Sequence, residues 1–122
     1  MSLQKIPLSN GPYGAPIAVT NTTITTGTLI HQSSANNGVG QGDEVVLYAA
    51  NIDATTSHTL TLSVGANNAS NTANVNLQRF VISNNSTVQV MSGLMIANTL
   101  GVWASADTAN TINITGYVIR SS

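Results

Sequence analysis

The sequence predicts an all-β fold, a single antiparallel β-sandwich of about eight strands. Three observations carry that expectation. Apolar residues alternate with polar ones in short runs: Val88 and Val90; Val102, Ala104 and Ala106; Ile112, Ile114 and Val118. Period-two alternation puts one set of side chains on each face of a strand. Clusters of Gly, Asn, Asp and Ser break the runs roughly every 8–12 residues, the punctuation of a sandwich or barrel. No window holds a capped apolar period of about 3.6 residues, and the one place for a helical turn is Met91 to Ile96. Jelly-roll wiring is one form such a sandwich takes.

Composition narrows the class. A chain of 122 residues is the size of one domain with its own core. It has no cysteine, which excludes disulfides and thiolate metal sites. Only 6% of residues are charged, against about 25% in an average domain. With 42% hydrophobic residues and a net charge of −1, the chain folds rather than staying disordered. Lys5, Arg79 and Arg120 are its only Lys and Arg residues, too few for a nucleic-acid surface. There is no basic amphipathic helix for a membrane surface, and no apolar run near the roughly 20 residues of a span. The N-terminus lacks the apolar core of a signal peptide. A surface so close to neutral does little to oppose association, which suits assembly.

Residues 1–15 hold Pro7, Pro12, Gly11 and Gly14 and read as an extended N-terminal arm, with the β-sandwich domain over 16–122. The arm carries Leu3, Ile6, Leu8 and Tyr13, so something must cover it: its own sheet or, as expected here, a neighbouring subunit. Short strands follow at Pro16 to Val19, Thr22 to Ile24 and Thr28 to Ser33. Ser34 to Gly42 is a Gly- and Asn-rich loop. Asp43 to Ile52 is the longest apolar run and the candidate central strand. Ser57 to Val64 sets Leu60, Leu62 and Val64 on one face. After the small-polar loop Gly65 to Ala73, Asn74 to Ile82 turns Val75 and Leu77 inward. The last two runs are expected to pair as a hairpin across Asp107 to Asn110.

Chemistry-bearing residues are few. His31 and His58 could join Asp43 or Asp53 on a metal, but neither sits in a paired ligand motif, and both are placed on the polar faces of their strands. Neighbouring Asp43 and Glu44 point to opposite faces of a strand and cannot share acid–base work, so they read as solvated gatekeepers. Gly38 to Gly42 lacks the Lys and following helix of a phosphate loop. No G-x-S-x-G elbow exists. The expectation is therefore no enzyme, no cofactor and no metal. The Asn-x-Ser/Thr triplets at Asn21, Asn68, Asn84, Asn85 and Asn113 follow from composition. Trp103 is out of phase with Val102 and Ala104, and lies either in a second core layer or as an exposed anchor. Tyr117 and Ile119 alternate with Gly116 and Val118, so one face of the last strand is expected to cover a subunit contact. The candidate partner interface is Lys5, Ile6, Leu8, Tyr13, Trp103 and Tyr117.

The C-terminal part resembles small accessory virion proteins of tailed bacteriophages. The resemblance rests on Asn85-Ser86-Thr87-Val88, Ser92-Gly93-Leu94, Val102 to Ala106, the Asp107 to Asn110 turn and Ile112 to Gly116. It covers about the last 40 residues, and its motifs are structural. It implies a non-enzymatic, oligomeric virion component assembled in the bacterial host cytoplasm. The leading expectation is a capsid decoration or cement protein, trimeric, held on the major capsid protein by the arm from Lys5 to Tyr13. Removing Met1 to Pro12 should then leave a folded domain that no longer binds particles. A neck or tail accessory protein, adaptor or fibre, is the alternative within that group. A carbohydrate-binding module that holds surface glycans on Trp103 or Tyr48 is the alternative from another class.

Overall fold

A computed structural model of the chain describes residues 3–23, 27–34, 42–65 and 76–121. These form nine strands and one short 3-10 turn. The strands are β1 (Leu3–Pro7), β2 (Ile17–Ala18), β3 (Thr28–Gln32), β4 (Gly42–Asn51) and β5 (His58–Gly65). They continue as β6 (Asn76–Ile82), β7 (Thr87–Ile96), β8 (Gly101–Ala106) and β9 (Ile112–Ser121). The 3-10 turn, Pro12–Gly14, lies between β1 and β2. The loop expectations at residues 35–41 and 66–75, which include most of Gly38 to Gly42 and Val75, fall outside the described residues, as does Ile24.

The all-β expectation holds. One sheet has the order β1-β9-β4-β7, with β2 also paired to β9, and the other has β3-β8-β5-β6. Every ladder is antiparallel. The pairings nest: β5 with β6, β4 with β7, β3 with β8, β2 with β9. A long hairpin folded back on itself gives this pattern, and it is the wiring of a jelly roll. The run beginning at Asp43 is central, as its length and apolarity predict: β4 lies between β9 and β7.

Four expectations are corrected. Met91 to Ile96 is no helical turn but the second half of β7. The segment from Asp107 to Asn110 does not close a hairpin, because β8 and β9 belong to different sheets. Its backbone is held from outside: the Ala106 amide donates to the Asn21 carbonyl, the Asp107 amide to Thr59 and the Asn110 amide to Val19. Those bonds direct the chain from one layer to the other. Leu77 lies directly opposite Ser63 and shares its face with Arg79, while Phe80 and Ile82 turn towards the core. The arm, finally, is part of the sheet. β1 pairs with β9 from Leu3–Ser121 to Pro7–Tyr117, and Leu8 is only 3% exposed, inside the core. Removing Met1 to Pro12 would therefore open the core as well as shorten the chain.

The core lies between the layers. Val45, Leu47 and Ala49 of β4 and Ile112, Ile114 and Val118 of β9 meet Leu60 and Leu62 of β5 and Val102 and Ala104 of β8. Gly116 breaks the pattern where β9 passes Leu47 of β4. Its φ is +154°, and a β-carbon there would run into the Val46 carbonyl oxygen. Only glycine allows the two strands to approach this closely.

Two substitutions test the packing. Leu8→Ala should cost about 2–5 kcal/mol in chemical denaturation, the usual range for truncating a buried leucine, although an arm lying free would lose nothing. Gly116→Ala should cost at least about 2 kcal/mol, because β4 and β9 must part locally.

Candidate functional site

Only seven residues carry a formal charge, four of them Asp or Glu. Three of those four carboxylates are bonded to a histidine. The two clusters lie at opposite ends of β4, one at Asp43 and the other just past Asn51.

The first joins both sheets. Asp43 and Arg120 are paired in register between β4 and β9, and Asp43 is fully buried. Parity explains the burial, since Asp43 shares a face with Val45, Leu47 and Ala49. Arg120 grips it with two bonds, Nε donating to Oδ1 and Nη2 to Oδ2, each 2.8 Å. From the opposite sheet His31 Nε2 donates to Oδ2 at 2.7 Å. The Ser9 amide donates to His31 Nδ1 at 3.0 Å, which fixes the ring as neutral with its proton on Nε2. The gatekeeper reading of Asp43 and the polar-face reading of His31 are thus overturned. For His31 the reason is a register shift between Leu29 and His31: the bulge turns consecutive Ile30 and His31 both inward.

The second cluster closes the other end. His58 begins β5 in phase with Leu60 and Leu62 and is also buried, not on a polar face. Its Nε2 lies 2.8 Å from Asp53 Oδ2 and its Nδ1 2.7 Å from Asp107 Oδ1. Two carboxylates call for two donors, so the ring is an imidazolium in this arrangement. Buried Asn51 completes the corner, donating to the Thr56 and Ile82 carbonyls and accepting from the Asp53 amide. Both nitrogens of each histidine are committed to protein partners, which leaves neither ring a lone pair for a metal or a substrate. Among the described residues no group of three His, Cys, Asp or Glu side chains is placed to hold a metal ion.

The clusters titrate in opposite senses. Burial pushes His31 below its ordinary value, outweighing the pull of Asp43. Burial raises Asp43, but the Arg120 and His31 bonds together carry it below the usual carboxylate range. The hydrogen bond that His58 donates to Asp53, followed after desolvation by the one to Asp107, raises His58 above its ordinary value. The His58 bond, followed by the Thr55 amide, holds Asp53 down to about 2.

The interface candidates separate. Lys5 and Tyr117 are brought together, with Lys5 Nζ 4.5 Å from the centre of the Tyr117 ring. Ile6 is half-buried against the core and Leu8 lies within it, so Leu8 is no surface contact. Tyr13 is wholly exposed on the 3-10 turn. Trp103 is half-buried on the other sheet, in a row with Leu29, Ser63 and Leu77. Its ring reaches over Gly101, where a β-carbon would come within 2.9 Å of it. The outer face beside Lys5 and Tyr117 also holds Ile119, as its alternation with Val118 implies, together with Val46 and Tyr48 of β4.

The titrations set a pH test. A histidine raised in the fold stabilises in full below about 6.5 and loses that contribution as pH rises through its folded value. A histidine lowered in the fold does the reverse, costing stability as pH falls below about 6.5. Denaturation at pH 5 and pH 8 should therefore show His58→Gln losing most at pH 5 and His31→Gln losing most at pH 8. The Asp53 contribution should persist down to about 3.8 and fade as pH drops towards about 2.

No protein-family model, characterised protein or solved structure matches the chain.

Proposed function

We propose that the protein is a non-enzymatic structural component of a tailed-bacteriophage virion, a capsid decoration protein that docks on the assembled shell. The observation that carries this reading is Tyr13. It has φ +59° and is followed by Gly14 at φ +82°, and its side chain is 102% exposed. A bulky residue in the left-handed region costs about 1–2 kcal/mol. Here it closes a tight turn, the Gly14 amide donating to the Gly11 carbonyl and the Ala15 amide to the Pro12 carbonyl, while the Tyr13 side chain stands free of the rest of the chain. Backbone strain of this kind collects where a side chain is presented to a partner. Pro12 presets the turn, and Leu8, anchored in the core, holds its base in place.

The surroundings support the reading. The histidine clusters serve as structural ties, and the exterior is almost free of charge, so contact must come from shape and apolar area. Among the described residues the jelly roll presents broad sheet faces and the edge strands β1, β2, β7, β3 and β6, and unpaired edges are surfaces that assembly covers. The fold by itself assigns no role. A trimer remains part of this proposal, as threefold clustering on a shell would bring several Tyr13 turns to one site.

Carbohydrate binding is the second reading, favoured by the half-exposed Trp103 ring lying over Gly101. Tyr48 stands on the other sheet, so the two rings do not form one platform.

Cosedimentation with shells assembled from the major capsid protein of the same genome tests the proposal. The wild-type protein should pellet with shells, and Tyr13→Ala should weaken binding by about tenfold or more, as loss of an aromatic anchor does, with unfolding unchanged. Wild-type protein left in the supernatant would refute the decoration role. Binding of a soluble glycan that Trp103→Ala abolishes would establish the second reading instead.

A further inference from the structure

The geometry points to the outer face of the β1-β9-β4-β7 sheet as a self-association surface, on which two copies pack face to face about a two-fold axis running along β9. This inference stands apart from the shell-binding reading, since it uses neither Tyr13 nor a capsid.

The face is laid out in rows by the ladders. One row reads Lys5, Ile119, Glu44, Met95 across β1, β9, β4 and β7, and the next reads Pro7, Tyr117, Val46, Ser92. The centre is apolar. Val46 is only 7% exposed although it points away from the core, because its neighbours on the same face cover it. Leu3 at 68% and Met95 at 56% are two of the chain's most exposed large apolar side chains, and both flank this centre.

Charge identifies the occupant. Lys5 is the only lysine, and Glu44 is the only carboxylate without a histidine partner. Neither makes an ion pair among the described residues. They stand on either side of Ile119, one strand away in each direction. The Glu44 carboxylate leans outward over Gly93, where a β-carbon would come within 3.2 Å of it, so the two charges do not meet within one copy. A two-fold axis along β9 lays β1 of one copy over β4 of the other. It brings Lys5 over the second copy's Glu44 twice, and Ile119 and Tyr117 onto their own counterparts. A surface with plus on one side, apolar residues along the axis and minus on the other complements itself, as an isologous contact requires.

The contact is small. β4 and β9 have ten residues each and β1 has five. With the axis along β9, β9 lies on its own counterpart and β1 on β4 to either side, while β7 falls outside the overlap. At about 3.3 Å per residue and about 4.8 Å between strands this covers roughly 300 Å² per copy, or roughly 600 Å² in all, in the range of weak, transient contacts. The contact is therefore a weak, concentration-dependent dimer.

Sedimentation equilibrium on the full chain over a concentration series tests this, with thermal unfolding as the check on folding. The wild type should show a monomer–dimer equilibrium. Lys5→Glu or Glu44→Lys alone should each raise the dissociation constant by about tenfold or more, because like charges then face each other twice, and the double reversal should return it to within about threefold of wild type. Ile119→Arg, at the axis, should leave a folded monomer. A wild-type protein that stays monomeric at every concentration would overturn the inference. So would a double reversal that stays as weak as the single variants, or an Ile119→Arg protein that still dimerises.

Discussion

A carboxylate sealed from water must have its charge answered inside the protein. Asp43 is that carboxylate, and its partners come from both layers of the sandwich. A buried ion pair is weak evidence of stability, because desolvation offsets most of its attraction, but it does fix geometry. Arg120 aligns β9 with β4, His31 sets the distance between the sheets, and the Ser9 amide ties the N-terminal segment to the same ring. The arm, the bulge in β3 and the end of β9 all converge on that one charge.

The opposite end uses the inverse arrangement. There an imidazolium is held between Asp53 and Asp107, so the proton is part of the tie. One end binds a neutral ring to a carboxylate already satisfied by arginine, and the other a charged ring between two carboxylates. Together the clusters absorb most of the chain's acidic groups and leave an exterior dominated by Ser, Thr, Asn and aliphatic side chains. Such a surface has little electrostatic steering at a distance. Its contacts are decided at short range, by turns such as that bearing Tyr13 and by the row through Ile119.

The sequence made the architecture legible because alternation survives wherever a strand is regular. Val102, Ala104 and Ala106 face inward as their spacing implies, and so do Leu60 and Leu62. It misled where the ladder slips or where the partner is distant in the chain. Ile30 and His31 both turn inward at a bulge, which a period of two cannot encode. The Asp107 to Asn110 turn has good hairpin chemistry, yet bonds to Asn21, Thr59 and Val19 carry it across the sandwich. Asp43 was readable in principle, being in phase with Val45 and Leu47. Its polar identity beside Glu44 suggested a solvated strand end, and nothing local announced Arg120, 77 positions away. The Lys5–Tyr117 contact was half legible: both residues stood out, but only the β1–β9 ladder placed them together.

The nested wiring has a consequence for how the chain comes into being. β9 follows every other described strand in the sequence, yet it lies between β4 and the strands β1 and β2 and joins them into one sheet. Without β9, β4 has one partner instead of two and β1 has none, so this layer closes only once β9 is in place. Only the inner hairpin of β5 and β6 and the pairs around it can form early. The layer is completed by the most distant pairings described, those of β1 with β9, which is the slow class of topology. Leu3 then lies opposite Ser121. The first and last strands thus finish as neighbours, and a short linker could join them and the domain be opened elsewhere without redrawing either sheet.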